Sequence, residues 1–349
     1  MSENRKYIFK ADSAEIDGAF ITNRGIDYRI VATDFAEHEA TLQNGIFDFF
    51  SIPVIIGVNE AGSSPSLPSG TGGAAYRIVS VPMELNGAPT VKSVFGDLGS
   101  YGADGDWRFW TYRGSNQWSE GDNVKLQNGE AYFLILRNGG TLTNKVSGTT
   151  METTAGVLGT ISGWHLRAND WTIIGNPYNT RLELSQLKLK SRNKLLNEQD
   201  TNFQVWAYDG SWKKENPILE TWGGLAVYST AADTIVFANA SDPYAKGLPK
   251  ASSPLAETLA ENEWLVQIRA ESQDYSDNVN YFGVRKDASA EQDMYDWYEP
   301  PILPSGISVS FPHSDWKNSA SFTSDIRPIT NEGYKWQLKL TGEGGTAVK

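Results

Sequence analysis

Few of the residues in this chain are of a kind that could do chemistry. There are three histidines, His38, His165 and His313, and no cysteine. Without thiols there is no disulfide, no thiolate nucleophile and no cysteine-based zinc or iron–sulfur site. The stretch His38-Glu39-Ala40-Thr41-Leu42 begins like a zincin helix, but Leu42 stands where the second imidazole must be. No Gly-x-Ser-x-Gly elbow offers a hydrolase serine. Gly70-Thr71-Gly72-Gly73-Ala74 has the glycines of a phosphate loop, yet it leads into a strand and lacks the helix N-terminal amides such loops use. The 42 Asp and Glu residues hold many carboxylate pairs, but acid–base pairing is a matter of distance through space. No catalytic residue is assigned, and an enzyme is not expected.

Two sets of residues could still bind something. Asp274, Asp277, Asn278, Asn280, Asp287, Asp293, Asp296 and Glu299 fall within one polar stretch. Ca²⁺ takes about six to eight oxygen ligands from flexible loops. The candidate cation ligands are therefore Asp274, Asp277, Asn278, Asn280, Asp293 and Asp296. Their spacing is not that of an EF-hand, and Asp and Asn also pin long loops by bonding to their own backbone, which is the commoner use. The second set is Trp118, Trp212, Trp222 and Trp297, each beside turn-like or polar residues. Flat exposed aromatics stack on sugar rings, so these four are the candidate polysaccharide platform. The competing expectation is a place at core edges or contacts between domains.

The elements that must carry these residues are short strands. Aromatic residues number 12 Trp, 15 Tyr and 14 Phe, and 33 Gly and 15 Pro are spread along the chain. That mixture favours many strands joined by tight turns. No window sustains helical periodicity with caps for more than two or three turns, Leu182–Glu198 being the nearest. Short helical or 3₁₀ turns are expected at Val91–Leu98 and Leu182–Leu187.

An internal repeat organises the middle of the chain. Tyr76-Arg77-Ile78-Val79-Ser80-Val81-Pro82 is matched by Trp171-Thr172-Ile173-Ile174-Gly175-Asn176-Pro177, at 177 − 82 = 95. Phe109-Trp110-Thr111-Tyr112-Arg113-Gly114-Ser115 is matched by Val205-Trp206-Ala207-Tyr208-Asp209-Gly210-Ser211, at 206 − 110 = 96. Gly129-Glu130-Ala131 is matched by Gly224-Leu225-Ala226, at 226 − 131 = 95. Trp110/Trp206 and Tyr112/Tyr208 stand two apart on their strands, hence on one face, and the core is their expected place. Two such units are expected to face each other across one core, as two sheets of a sandwich or as a pseudo-symmetric pair.

The fold class is thus all-β, with multiple β-sandwich modules of jelly-roll or immunoglobulin-like kind and an internal duplication. Residues 1–59 read as the C-terminal part of an immunoglobulin- or fibronectin-like domain, with strands expected at Tyr7–Lys10, Gly18–Asn23, Tyr28–Asp34 and Phe47–Ile56. Residues 60–75 read as a Gly/Ser/Pro-rich flexible linker. Residues 76–241 form the duplicated module, 242–254 a proline-bearing linker, and 255–349 a C-terminal sandwich module that looks truncated. That last module has too little length for a generous core of its own, so it is expected to dock on the duplicated module through Trp297-Tyr298-Glu299-Pro300-Pro301. The N-terminal fragment is expected to be free to reorient.

The formal charge of −12 repels polyanions, so no nucleic-acid partner is expected. No run of about 18 apolar residues exists, so no membrane insertion is expected. The stretch Met1–Asp17 has no apolar h-region, so it is not expected to act as a signal peptide.

Several of these runs resemble modules near the C-termini of very large secreted proteins of Bacteroidetes and related phyla, many of them cargo of the type IX secretion system. The resemblance rests on Tyr76–Pro82, Asp106-Trp107-Arg108-Phe109-Trp110-Thr111-Tyr112 and Gly163-Trp164 ahead of Ile173–Pro177. A following module is similar in Asn280-Tyr281-Phe282-Gly283-Val284, Phe311-Pro312-His313-Ser314-Asp315-Trp316 and Thr323-Ser324-Asp325-Ile326-Arg327. Arg24–Asp34 looks like the last strands of an immunoglobulin- or fibronectin-type repeat. The resemblance implies a stalk or spacer at the cell surface or outside the cell. Its partners would be neighbouring domains of the parent protein, with a polysaccharide as the alternative.

Overall fold

The computed structural model describes residues 21–28, 30–42, 50–151, 161–214, 217–238, 258–272 and 274–342. The chain is all-β there. The strand expected at Tyr7–Lys10 and the join at 242–254 lie outside the described residues.

Four strands come first: β1 (Ile26–Tyr28), β2 (Ile30–Thr33), β3 (Glu39–Leu42) and β4 (Phe50–Ile52). β1 pairs with β4, and β2 with β3 in a hairpin. The zincin-like stretch is therefore strand, and His38 contacts Asp34 at the exposed turn.

The first repeat unit holds β5 (Ile55–Ile56), β6 (Arg77–Val79), β7 (Glu84–Leu85), the five-residue helix α1 (Val91–Phe95), β8 (Trp107–Gly114), β9 (Gln117–Glu120), β10 (Tyr132–Leu136) and β11 (Gly148–Thr149). The second holds β12 (His165–Leu166), β13 (Asp170–Gly175), β14 (Leu187–Leu189), β15 (Lys194–Leu195), β16 (Phe203–Tyr208), β17 (Trp212–Lys213), β18 (Gly224–Ser229) and β19 (Asp233–Phe237). Their sheets correspond. The order β6-β10-β8-β9 is repeated as β13-β18-β16-β17, and β5-β11-β7 as β12-β19-β14-β15. Each unit is thus a two-layered sandwich in itself. The window 182–198 holds a 3₁₀ turn and two short strands, and α1 is the longest helix among the described residues.

Pairing register settles the repeat. Phe133 opposes both Ile78 and Trp110, and Ala226 opposes both Ile173 and Trp206. The first two sequence matches are therefore structural ones. The third is out by two residues: the equivalence is Phe133 with Ala226, at 226 − 133 = 93. This makes Trp222 the counterpart of Gly129, and both take a left-handed backbone, φ 66° and 72°. That region suits glycine and strains a bulky residue. Trp222 holds it because its ring is buried in the first unit's core beside Phe95. At Gly129 the corresponding space is filled by Ile161 and Trp164, whose atoms lie 2.2 and 3.0 Å from where a Cβ would stand.

The two units meet about a pseudo-twofold seam. Ser80 N–H donates to Trp222 O at 2.9 Å, and Gly175 N–H donates to Gly129 O at 2.7 Å. Along β8, β10, β13, β16 and β18, alternate residues face opposite cores. Phe109, Tyr132 and Leu134 fill the first unit; Phe203, Leu225 and Val227 fill the second; Tyr112, Phe133, Trp206, Tyr208 and Tyr228 share a third core between them. All five residues of β10 are buried because both its faces are covered.

The last module contains β20 (Trp264–Glu271), β21 (Ser276–Arg285), β22 (Ser308–His313), β23 (Ala320–Phe322), β24 (Ser324–Pro328) and β25 (Lys339–Thr341). Sheet β20-β21-β24, in which β21 and β24 run parallel, accompanies sheet β23-β22-β25. Its private core is modest: Ala270, Ile307 and Val309 cluster there, and Val284, Phe311 and Ile326 are also buried within the module. Its larger side chains, Trp297, Tyr298, Leu303, Trp316 and Phe322, instead enter the core shared by the two repeat units. The expected docking through 297–301 is what the structure has.

Two expectations need correction. Residues 60–75 are not a free linker: Ser63, Leu67 and Ser69 bridge to Thr143, Gly140 and Leu136, and Ala61, Leu67 and Ala75 are buried. Composition suggested slack, but backbone bonds to a distant edge hold the segment. Nor does the N-terminal fragment stand apart. β5, which lies inside residues 1–59, is a strand of the first sandwich, and Asn23 is tied to Glu60 and Asn179.

Candidate functional site

The four tryptophans do not form an exposed platform. Trp222 and Trp297 are buried, at 2% and 5% exposure. Trp118 and Trp212 are half-buried, with their rings packed on the shared core, and each indole donates to the docked loop. Trp118 Nε1 donates to Ile302 O at 2.7 Å and Trp212 Nε1 to Pro301 O at 3.1 Å. Trp171 Nε1 adds a third such bond, to Glu299 O at 2.8 Å. These rings sit beside turns because the loop 297–303 covers that end of the sheets, with bonded partners 89 to 184 residues away that sequence reading did not pair with them individually.

Each contact across this seam is specific. Gln204 accepts from Tyr298 N–H through Oε1 at 3.0 Å and donates to Asp296 O at 3.3 Å. Tyr298 stacks on Tyr228 at 3.8 Å between centroids, and Trp297 meets Trp206 edge-on at 5.9 Å. Lys214 Nζ lies 5.2 Å from the Trp297 ring centre, and burial lowers the Lys214 pKa to about 8.

The acidic stretch divides into two knots. In one, Asp293 accepts from Ser289 and Tyr295 N–H groups, and Asp296 accepts from Asp293 and Ile326 N–H groups. Asp293 braces its own loop, and Asp296 both braces it and ties it to β24. Asp274 contributes its backbone carbonyl, which accepts from Gly73 N–H at 2.6 Å. Among the described residues, no three His, Asp or Glu side chains gather as a metal cluster.

The other knot centres on Asp277 and Glu299. A bulge in β21 sets two residues, Asn278 and Val279, against one of β20, Arg269. Such an insertion re-aims side chains, and Asp277 and Asn280 come close enough to interact. Asp277 Oδ2 accepts from Val309 N–H at 2.7 Å, and Glu299 Oε1 accepts from Ser308 Oγ at 2.7 Å. Burial raises the pKa of both carboxyls, and Asp277 raises that of Glu299 further.

His313 offers no general base. Its ring nitrogens lie 3.1 and 3.0 Å from Asp315 and Asp325, and its face stacks on Trp316 at 3.5 Å. With carboxylates at both nitrogens, neither is left to take a proton from a nucleophile. Arg327 donates twice to Asp325 and completes the cluster.

Asp296 makes a pH prediction. Burial, with Asp293 and then Asp325 nearby, raises its pKa well above the usual carboxylate range; His313 and Arg327 face Asp325 from the other side. A raised carboxyl stabilises the fold most below its unfolded value of about 4, and that contribution is lost as pH rises through the folded value. Thermal melts of wild type and Asp296→Asn across pH 4–8 (about the span needed) should show the variant gaining on wild type as pH rises. Parallel curves would contradict it.

A scan of family models finds no match for the chain, and searches of curated proteins and of solved structures find none either.

Proposed function

We propose that this chain is a non-catalytic structural or adhesive stalk segment of a secreted cell-surface protein. One observation carries the reading: a single aromatic core draws side chains from both repeat sandwiches and from the last module. An interface of that kind makes the modules move as one body, whereas loosely joined domains reorient. A spacer that holds a neighbouring domain away from a surface needs this stiffness. The absence of a free base at His313, and the spending of four tryptophans on internal contacts, favour a scaffold over a catalytic cleft or a sugar platform. The surface location rests on the resemblance of the repeated motifs and the following module.

Native-state hydrogen exchange tests the rigid body. Amides of β10, β16 and β21 are expected to exchange through openings of similar, near-global free energy. If β21 exchanges through a separate opening far below the others, the last module is an independent bead and the stalk reading fails.

A further inference from the structure

The geometry points to a second copy of this chain as a partner of the last module, paired edge to edge through β20, antiparallel, about a two-fold axis at Val266. β20 is the outer strand of sheet β20-β21-β24, and β25 is the outer strand of the sheet that accompanies it. Both edges carry apolar side chains that face inward and yet meet solvent. Val266 lies opposite Phe282, whose ring lies 6.2 Å from that of Phe311 in the other sheet, and Leu340 lies opposite the buried Val309. Opposed residues share a sheet face, so Val266 and Leu340 point into the sandwich, but they are 41% and 54% exposed. Trp264, on the same face as Val266, is also exposed and meets Phe282 and Trp336 edge-on. The sandwich is open along this side. An eight-residue edge strand without proline, glycine or lysine is a template for another strand.

Register decides which backbone groups of β20 face the open side. Tyr281 N–H donates to Thr323 O, away from β20. The N–H and C=O of one strand residue point the same way, so Gln267, opposite Tyr281, turns its own pair away from β21. Leu265, two residues earlier, does the same. With Val266 on the two-fold axis, Leu265 stands opposite the second copy's Gln267 and Gln267 opposite its Leu265. Those two pairs exchange about four backbone hydrogen bonds. On the apolar face, Trp264 meets the second copy's Ile268, and Val266 meets its own counterpart.

Charge selects this partner and this register. The same two-fold sets Glu263 opposite the second copy's Arg269, and Arg269 opposite its Glu263. Neither side chain forms an ion pair among the described residues: Glu263 accepts from the Ala260 and Lys286 N–H groups, and Arg269 donates to Gln267 Oε1 at 3.2 Å. Reversed against itself, the strand therefore matches apolar to apolar and opposite charge to opposite charge. A slide that puts Gln267 on the axis sets Glu263 against the second copy's Glu271, and like charges directly opposite are destabilising. A slide to Ile268 sets Trp264 against Ser272. The net charge of −12 opposes association, and one strand pair buries less than the roughly 1,200 Å² of a standard interface, so the dimer should be weak. The pairing does not depend on the stalk reading; in a stalk it would hold two copies side by side.

The test uses the full chain, whose lack of cysteine lets one introduced thiol report the register. Across the two-fold, Val266 and its counterpart form a non-hydrogen-bonded pair with Cα atoms about 4.5 Å apart, within disulfide reach. Val266→Cys is expected to form a disulfide dimer under mild oxidation. Gln267→Cys is not, because its counterparts stand more than about 7 Å apart. Sedimentation equilibrium of wild type should show a monomer–dimer equilibrium, which Arg269→Glu weakens about tenfold by setting like charges opposite at both ends. Arg269 is exposed, so that variant is expected to melt as wild type does. Wild type that stays monomeric at about 1 mM leaves this edge to a partner other than a second copy and overturns the proposal. So does Val266→Cys that cross-links no faster than Gln267→Cys, or Arg269→Glu that dimerises as wild type.

Discussion

Trp206→Ala is expected to destabilise the protein by about 3–5 kcal/mol and to uncouple the last module from the sandwiches. Trp206 is 0% exposed and sits in the core common to three modules, edge-on to Trp297. Truncation leaves a cavity that β16 and β18, fixed by their ladders on both sides, cannot close. The indole Nε1 has no hydrogen-bond partner, so Trp206→Phe keeps the ring and removes a buried unsatisfied donor. That variant should cost no more than about 2 kcal/mol. Urea unfolding gives the size, and calorimetry the coupling: one transition in wild type and in Trp206→Phe, two in Trp206→Ala. An alanine variant that loses under about 1 kcal/mol and still melts in one step would mean that this core does not join the modules.

Gly163→Ala should be at least as damaging, for a backbone reason. A Cβ there would stand 1.9 Å from both the carbonyl carbon and oxygen of Gly129. Gly163 N–H also donates to Asn128 O at 3.2 Å, which fixes the approach. The obstructing atoms are main chain and belong to the turn whose carbonyl accepts from Gly175, so relief requires the two units to separate locally. The expected loss is at least about 3 kcal/mol, visible as a lowered Tm and poorer soluble yield. Gly333→Ala is the control: nothing lies within 4 Å of its added Cβ, and a change within about 0.5 kcal/mol is expected. If Gly163→Ala melts like the control, the close approach of the two turns is not a real constraint of the fold.

The all-β class was legible from local chemistry alone, because aromatic and β-branched runs between turn residues leave the chain little else to form. The duplication was legible for the same kind of reason. Trp110/Tyr112 and Trp206/Tyr208 must lie on one strand face each, and they do so in the shared core. The third motif misled by two residues, and sequence could not have caught it. A two-residue slip returns every side chain of a strand to the same face, so Ala131 and Phe133 fit the pattern equally well. Only the cross-strand register with Ile78 and Trp110 separates them.

The candidate site was legible in its parts and not in its assembly. Asp277, Asn278 and Asn280 stood in the acidic stretch, but so did Asp293 and Asp296, which turn out to brace their own loop and tie it to β24. Glu299 joins Asp277 because a bulge redirects β21 and because Ser308 and Val309, at the start of β22, bond one carboxyl each. Residues 60–75 show the same limit, since their Gly and Pro content reports local freedom while their partners lie near residue 140. What the sequence determined by itself is therefore what depends on neighbours along the chain: strand, turn and facing. Register, docking and the pairing of buried charges depend on distances between residues far apart in the chain, and those were decided only when the three modules closed on one core.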